Sequence, residues 1–180
     1  MSLDFFVIGA QKAGTTSLHA YLSSHPKIFL PKEKEAPFFY DNSMYSKGLA
    51  WFLNSFFPTK NEDDLFGTVT PQYMGYLNSI ERIHKACPNS KIIAVLRDPI
   101  ARARSHYRMR VQAFGERRSF EDVIASQLER KNLADSRCAP SKTNSYIVWG
   151  EYGRVLAEYL KIFKNEQLLV IYLDDLDREP

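Results

Sequence analysis

Cysteine is scarce in this chain, with two, Cys87 and Cys138, among 180 residues. They stand far apart and fit neither a zinc pattern nor a disulfide framework. Interior packing is the default role for both thiols, and a reducing, cytoplasmic setting is expected. Long apolar runs are also missing. No stretch approaches the ~20 residues of a membrane span. An acidic Asp4 and then a glycine loop occupy the place of a signal peptide. Neither sign of charge dominates: 24 Lys and Arg face 21 Asp and Glu, for a net charge of +3. So small a balance gives no reason to expect nucleic acid as a partner. Repeats and long linkers are absent. What remains is 44% hydrophobic and 25% charged, an ordinary globular composition, and the length suits one domain. Nothing in the reading depends on Met1-Ser2-Leu3.

The most informative stretch is Phe5-Phe6-Val7-Ile8-Gly9-Ala10-Gln11-Lys12-Ala13-Gly14-Thr15-Thr16-Ser17-Leu18. A short apolar run predicts a buried strand. Gly9 and Gly14 then let the backbone turn, and a helical pattern follows. Strand, glycine loop and helix N-terminus form a phosphate cradle, because the first N–H groups of the helix point at an anion. The spacing is that of an altered P-loop, normally G-x-x-x-x-G-K-[ST]. Thr15 fills the lysine slot, and a lysine appears earlier, at Lys12. A γ-phosphate loses its usual partner, whereas a 5′-phosphosulfate would not need it.

A second stretch, Arg97-Asp98-Pro99-Ile100-Ala101-Arg102-Ala103-Arg104-Ser105-His106, follows the strongest strand, Lys91-Ile92-Ile93-Ala94-Val95-Leu96. Near-continuous apolar character predicts a central parallel strand covered on both faces. Asp98 reads as an N-cap and Pro99 as the first helical residue. Arg97 then lies at the carboxyl end of a strand, where open α/β sheets bind ligands. With Ser105 two turns into the helix, it can grip a phosphate by charge and hydroxyl.

Together these two stretches resemble the sulfotransferase family, in the branch of glycan (heparan-type) and bacterial enzymes. The resemblance runs from Phe5 to Pro180. It implies a three-layer α/β/α fold with a mostly parallel sheet, similar to P-loop NTPases. The implied donor is 3′-phosphoadenosine 5′-phosphosulfate (PAPS), with 3′,5′-ADP as product. Lys12, Gly14, Thr15, Thr16 and Ser17 would hold the 5′-phosphosulfate; Arg97 and Ser105 would hold the 3′-phosphate. Glu35, in Glu35-Ala36-Pro37-Phe38-Phe39, matches the family's general base before paired phenylalanines, and Glu33 does not. Lys12 would also stabilise charge on the bridging oxygen as the nucleotide leaves. The acceptor would be a glycan or small molecule presenting a hydroxyl or amine, and no metal is inferred. The chain reads as a single domain, 1–180, lacking the family's C-terminal segment. One departure stands out: the family often has a lysine or glutamate where this chain has Thr68 and Val69, just before Thr70-Pro71. Two rivals are a P-loop kinase or ATPase and a non-catalytic nucleotide-binding domain.

The remaining elements follow from periodicity. Helices are expected over 16–24, 45–58, 78–86, 119–131 and 152–163, and strands over 27–30, 66–69 and 168–172, the last buried. The proline-broken stretch 31–40 is expected to be irregular, with Phe38 and Phe39 in the core. Residues 132–144 read as a mobile surface loop, and 59–64 as a polar one. His19 and His25 read as surface or helix-end residues. His106 is a weak alternative base, since the family's histidine bases come from another motif.

Overall fold

The computed structural model describes residues 2–58, 64–138 and 145–178. Its strands are β1 (Phe5–Gly9), β2 (Ile28–Phe29), β3 (Leu65–Val69), β4 (Lys91–Leu96) and β5 (Leu168–Tyr172). Its α-helices are α1 (Thr15–Ser24), α2 (Asn42–Tyr45), α3 (Leu49–Phe56), α4 (Asn78–Ala86), α5 (Pro99–Phe114), α6 (Phe120–Leu128), α7 (Arg130–Cys138), α8 (Tyr152–Leu160) and α9 (Leu173–Arg178). The strands form one sheet in the order β2-β3-β1-β4-β5, and every pairing is parallel.

The three layers follow from the alternation of β1. Side chains one residue apart on a strand point to opposite faces. Phe6 and Ile8 join the larger core with Phe52 of α3, Ile80 and Ile83 of α4, and Val155 and Tyr159 of α8. Phe5 and Val7 join a second core with Leu18 of α1, Val95 of β4 and Leu176 of α9. All five residues of β1 are buried. This is the α/β/α fold expected from the sequence.

Several local expectations need correction. Residues 132–138 are helical, as most of α7; Asn132 donates to the Ser126 carbonyl at 2.8 Å and ties α7 back to α6. Residues 139–144 of that expected loop, and 59–63 of the other, lie outside the described residues. The predicted helix over 45–58 is split at Gly48, whose φ of 85° lies in a region that an α-helix cannot continue through. Within 31–40, Pro37–Phe39 makes one 3₁₀ turn. β5 is an edge strand, so Leu169 (53%) and Tyr172 (59%) are exposed rather than buried. Leu3 is buried, and its N–H donates to Cys87 Sγ. Cys87 packs in the interior as expected, but Cys138 is exposed.

Candidate active site

Each strand of a parallel sheet delivers its carboxyl end to the same edge, and the loops leaving that edge meet there. A cleft of about 460 Å³ opens at this edge. Gln11, Lys12, Gly14, Thr15, Thr16 and Ser17 enter it after β1, Pro71 after β3, Arg97 after β4, and Leu173 and Asp177 after β5. Lys34 and Glu35 line it from the 31–36 loop, and Ser105 and Met109 from α5. The structure therefore brings together all eight residues expected from the sequence: Lys12, Gly14, Thr15, Thr16, Ser17, Glu35, Arg97 and Ser105.

The glycine loop turns on two left-handed residues, Lys12 at φ 69° and Gly14 at φ 89°. For a lysine this conformation costs on the order of 1–2 kcal/mol, the kind of strain that gathers at functional sites. Gly14 is also sterically required, since a Cβ there would sit 2.4 Å from Leu173 Cδ1. As the N-cap of α1 it offers no side-chain acceptor, so the first-turn N–H groups remain available for an anion. Gly9 has a different role from the one expected. It ends β1 outside the cleft, and a Cβ there would meet Met74 at 2.7 Å, so it serves close packing.

Arg97 reaches back across the cleft, with Nη1 3.4 Å from the Lys12 carbonyl. Asp98 caps α5 by accepting from Ala101 N at 2.7 Å, and Pro99 follows as the first helical residue, as predicted. This cap starts the helix from which Ser105, and Met109 one turn later, line the cleft.

Glu35 is held by its neighbours. Phe38 and Phe39 are buried anchors. Ala36 N donates to Thr70 Oγ1 at 2.9 Å, and the Tyr73 hydroxyl donates to the Ala36 carbonyl. The carboxylate itself accepts from Gln72 Nε2 at 2.6 Å and lies 4.0 Å from Lys34 Nζ. Its side chain is 42% exposed, open to an incoming molecule. Nearby, burial and the charge of Glu35 push the Tyr40 phenol up to about 12, so it stays protonated. Glu33 is exposed and outside the cleft.

His106 is buried and packs edge-on against Tyr146, with ring centroids 4.8 Å apart. Burial, then the charges of Arg102, Arg110 and Lys12, lower its pKa to about 3. It is not among the cleft walls. Thr68 and Val69 are fully buried in β3, so neither reaches the cleft.

Sequence reasoning missed Lys34, Gln72 and the β5 contribution. Leu173 and Asp177 were findable from the strand-end rule alone, since they directly follow a predicted parallel strand. Gln72 carried no signal beyond its place after Thr70-Pro71, and Lys34 was hidden in a lysine–glutamate run that reads as a solvated loop.

A parallel sheet with a glycine loop and a polar cleft at its carboxyl edge defines an α/β domain of P-loop-like architecture. The profile of the sulfotransferase domain matches residues 2–180. The chain is 31% identical over 187 aligned residues to the bifunctional heparan sulfate N-deacetylase/N-sulfotransferase 4 of Mus musculus, covering 98% of this chain and 20% of that protein. It is 37% identical over 111 residues to the membrane-associated sulfotransferase kil1 of Dictyostelium discoideum, covering 61% of this chain and 23% of that one. A crystal structure of a sulfotransferase from Alicyclobacillus acidocaldarius superposes with a TM-score of 0.81 at 29% identity, over 100% of this chain and 76% of that one. The chain belongs to the sulfotransferase family, and it spans about a fifth of the length of these curated relatives.

Proposed function

We propose that this domain transfers a sulfuryl group from PAPS to a hydroxyl or amine of a glycan or small-molecule acceptor. The observation that carries the reading is the convergence of three cations and four hydroxyls on one cleft: Lys12, Lys34 and Arg97, with Thr15, Thr16, Ser17 and Ser105. Such a donor set fits a ligand with separated anionic groups. The phosphate-loop N–H groups and hydroxyls bind the 5′-phosphosulfate end, and Arg97 with Ser105 binds the 3′-phosphate. PAPS, when bound, supplies the activated sulfuryl group and leaves as 3′,5′-ADP.

Glu35 acts as general base. It takes the proton from the acceptor hydroxyl or amine, while Gln72 holds its carboxylate in place. Lys12 faces the nucleotide in both ground and transition states, so it serves affinity and rate together. A preorganised set of charges in a partly enclosed cleft is the main source of stabilisation. The similarity to the Mus musculus heparan sulfate N-deacetylase/N-sulfotransferase 4 favours a glycan amine among the acceptors. Two unpaired cysteines fit a reducing compartment. Among the described residues no helix is long and apolar enough to cross a membrane.

The test is a thermal-shift comparison of 3′,5′-ADP, ADP and Mg-ATP, since a ligand that binds the native state raises the melting temperature. The largest shift is expected with 3′,5′-ADP. A larger shift with Mg-ATP would instead favour a P-loop kinase or ATPase, against which the threonine in the lysine slot, Thr15, already argues.

A further inference from the structure

The two sides of the cleft are joined by one side chain, a cleft cation to which the mechanism above gives no contact of its own. Lys34 Nζ donates to Thr16 Oγ1 at 2.9 Å, across from the loop that carries it to the first turn of α1. The same ammonium lies 4.0 Å from Glu35 Oε1, too far for a hydrogen bond but close enough for attraction. It thus stands between a residue assigned to the donor and the residue assigned to the acceptor. An ammonium has three donors. Thr16 uses one, and the others have no hydrogen-bond partner among the described residues.

We propose that Lys34 is a third cleft cation, one that contacts the sulfuryl oxygens of the bound donor. This rests on the PAPS reading above. Its position separates it from Lys12 and Arg97, which approach from the ends of β1 and β4. Lys34 comes from the wall that holds Glu35, so it approaches the group in transit from the acceptor side.

The electrostatics agree with an anion-seeking role. The side chain is only 27% exposed. Burial comes first in holding its pKa below the usual lysine range; Glu35 opposes this, and Lys12 adds to it. A negative sulfuryl group arriving between the two lysines offsets both the desolvation and their mutual repulsion. Glu35 offsets only part of this, since its nearest oxygen stays 4.0 Å away. A strap that merely tied the 31–36 loop to α1 would need only the bond to Thr16.

The sulfuryl group provides the means of testing this. 3′,5′-ADP carries both phosphates of PAPS and no sulfuryl group. Calorimetric titration of each, without acceptor, is compared for the parent chain, Lys34→Met and Lys34→Arg. Lys34→Met should weaken PAPS about tenfold or more, the scale of a hydrogen bond to a charged group. It should change 3′,5′-ADP by less than about twofold, because no phosphate contact is lost. Lys34→Arg, which keeps the charge, should recover part of the PAPS affinity. Equal weakening of both ligands would identify Lys34 as a strap that shapes the loop and would overturn the proposal. So would unchanged affinity for both. If the parent binds 3′,5′-ADP and Lys34→Met loses nothing toward PAPS, only this inference fails. If the parent binds neither nucleotide, the PAPS reading falls and takes this inference with it. Melting temperatures of the free variants confirm that each is folded.

Discussion

Gln72 Nε2 and Glu35 Oε2 are 2.6 Å apart, a charge-assisted hydrogen bond between the end of β3 and the 31–36 loop. The amide must present its NH₂ to a carboxylate, and this leaves Gln72 Oε1 buried without a partner among the described residues. The bond fixes one carboxylate oxygen and, on the proposed mechanism, leaves the other for the acceptor. Gln72→Leu should therefore lower turnover by roughly tenfold, the rate equivalent of about 1.4 kcal/mol of lost positioning. Affinity for 3′,5′-ADP should be unchanged. Glu35→Gln should remove ~10²–10⁴ of the rate, the usual contribution of a general base, again with donor affinity intact. A sulfate-transfer assay beside a nucleotide titration separates the two effects. If Glu35→Gln turned over like the parent, proton abstraction would have to be reassigned.

Arg97 gives a prediction about ligand selectivity. Its guanidinium lines the cleft and reaches the glycine loop by a long 3.4 Å contact to the Lys12 carbonyl. Arg97→Ala should weaken 3′,5′-ADP by about 1.5–3 kcal/mol and barely affect 5′-AMP, which lacks the 3′-phosphate. Equal losses for the two ligands would place Arg97 on the shared part of the nucleotide, or on the fold.

At Gly14, steric crowding and backbone conformation can be separated by a double substitution. Gly14→Ala puts a Cβ 2.4 Å from Leu173 Cδ1 and forces a side chain into φ 89°. Combining it with Leu173→Ala removes the clash and keeps the backbone penalty of about 1–2 kcal/mol. Denaturant unfolding should show the double variant more stable than the sum of the single changes. Simple additivity would mean that Leu173 moves aside freely.

Acid stability should report on His106. Its folded-state pKa, about 3, lies below the unfolded value near 6.5. Between those limits the unfolded chain binds a proton that the native protein refuses. Stability is therefore highest above pH 6.5 on this account and falls as pH drops toward 3, by up to about 1.4 kcal/mol per pH unit. His106→Gln should flatten that slope in urea titrations at pH 4 to 7. An unchanged slope would assign the acid sensitivity to the carboxylates.

The parts legible in the sequence were those encoded locally. Gly14, Asp98 and Pro99 announce a turn or a cap by their own chemistry, and the apolar runs of β1 and β4 announce buried strands. Glu35 was found through its phenylalanine pair, a family pattern and not a physical necessity. The misses were contextual. Leu168-Leu169-Val170-Ile171-Tyr172 reads as interior, yet β5 lies at the edge of the sheet, and strand order is set by pairing across the whole chain. α7 has too few apolar residues to show a helical period, and its definition comes from neighbours such as Ser126. Lys34 and Gln72 became visible only when the 31–36 loop folded over the end of β3.

The cleft draws its walls from Gln11 at one extreme of the sequence to Asp177 at the other. Every strand pairing behind it is parallel, and therefore joins segments distant in the chain. No short, locally folded piece contains all the walls of the site, so the cleft requires the assembled sheet. Occupancy should consequently be registered far from the contacts. Ligand would slow hydrogen exchange at the amides of all four longer strands that open only by global unfolding, to a common extent set by its concentration and affinity.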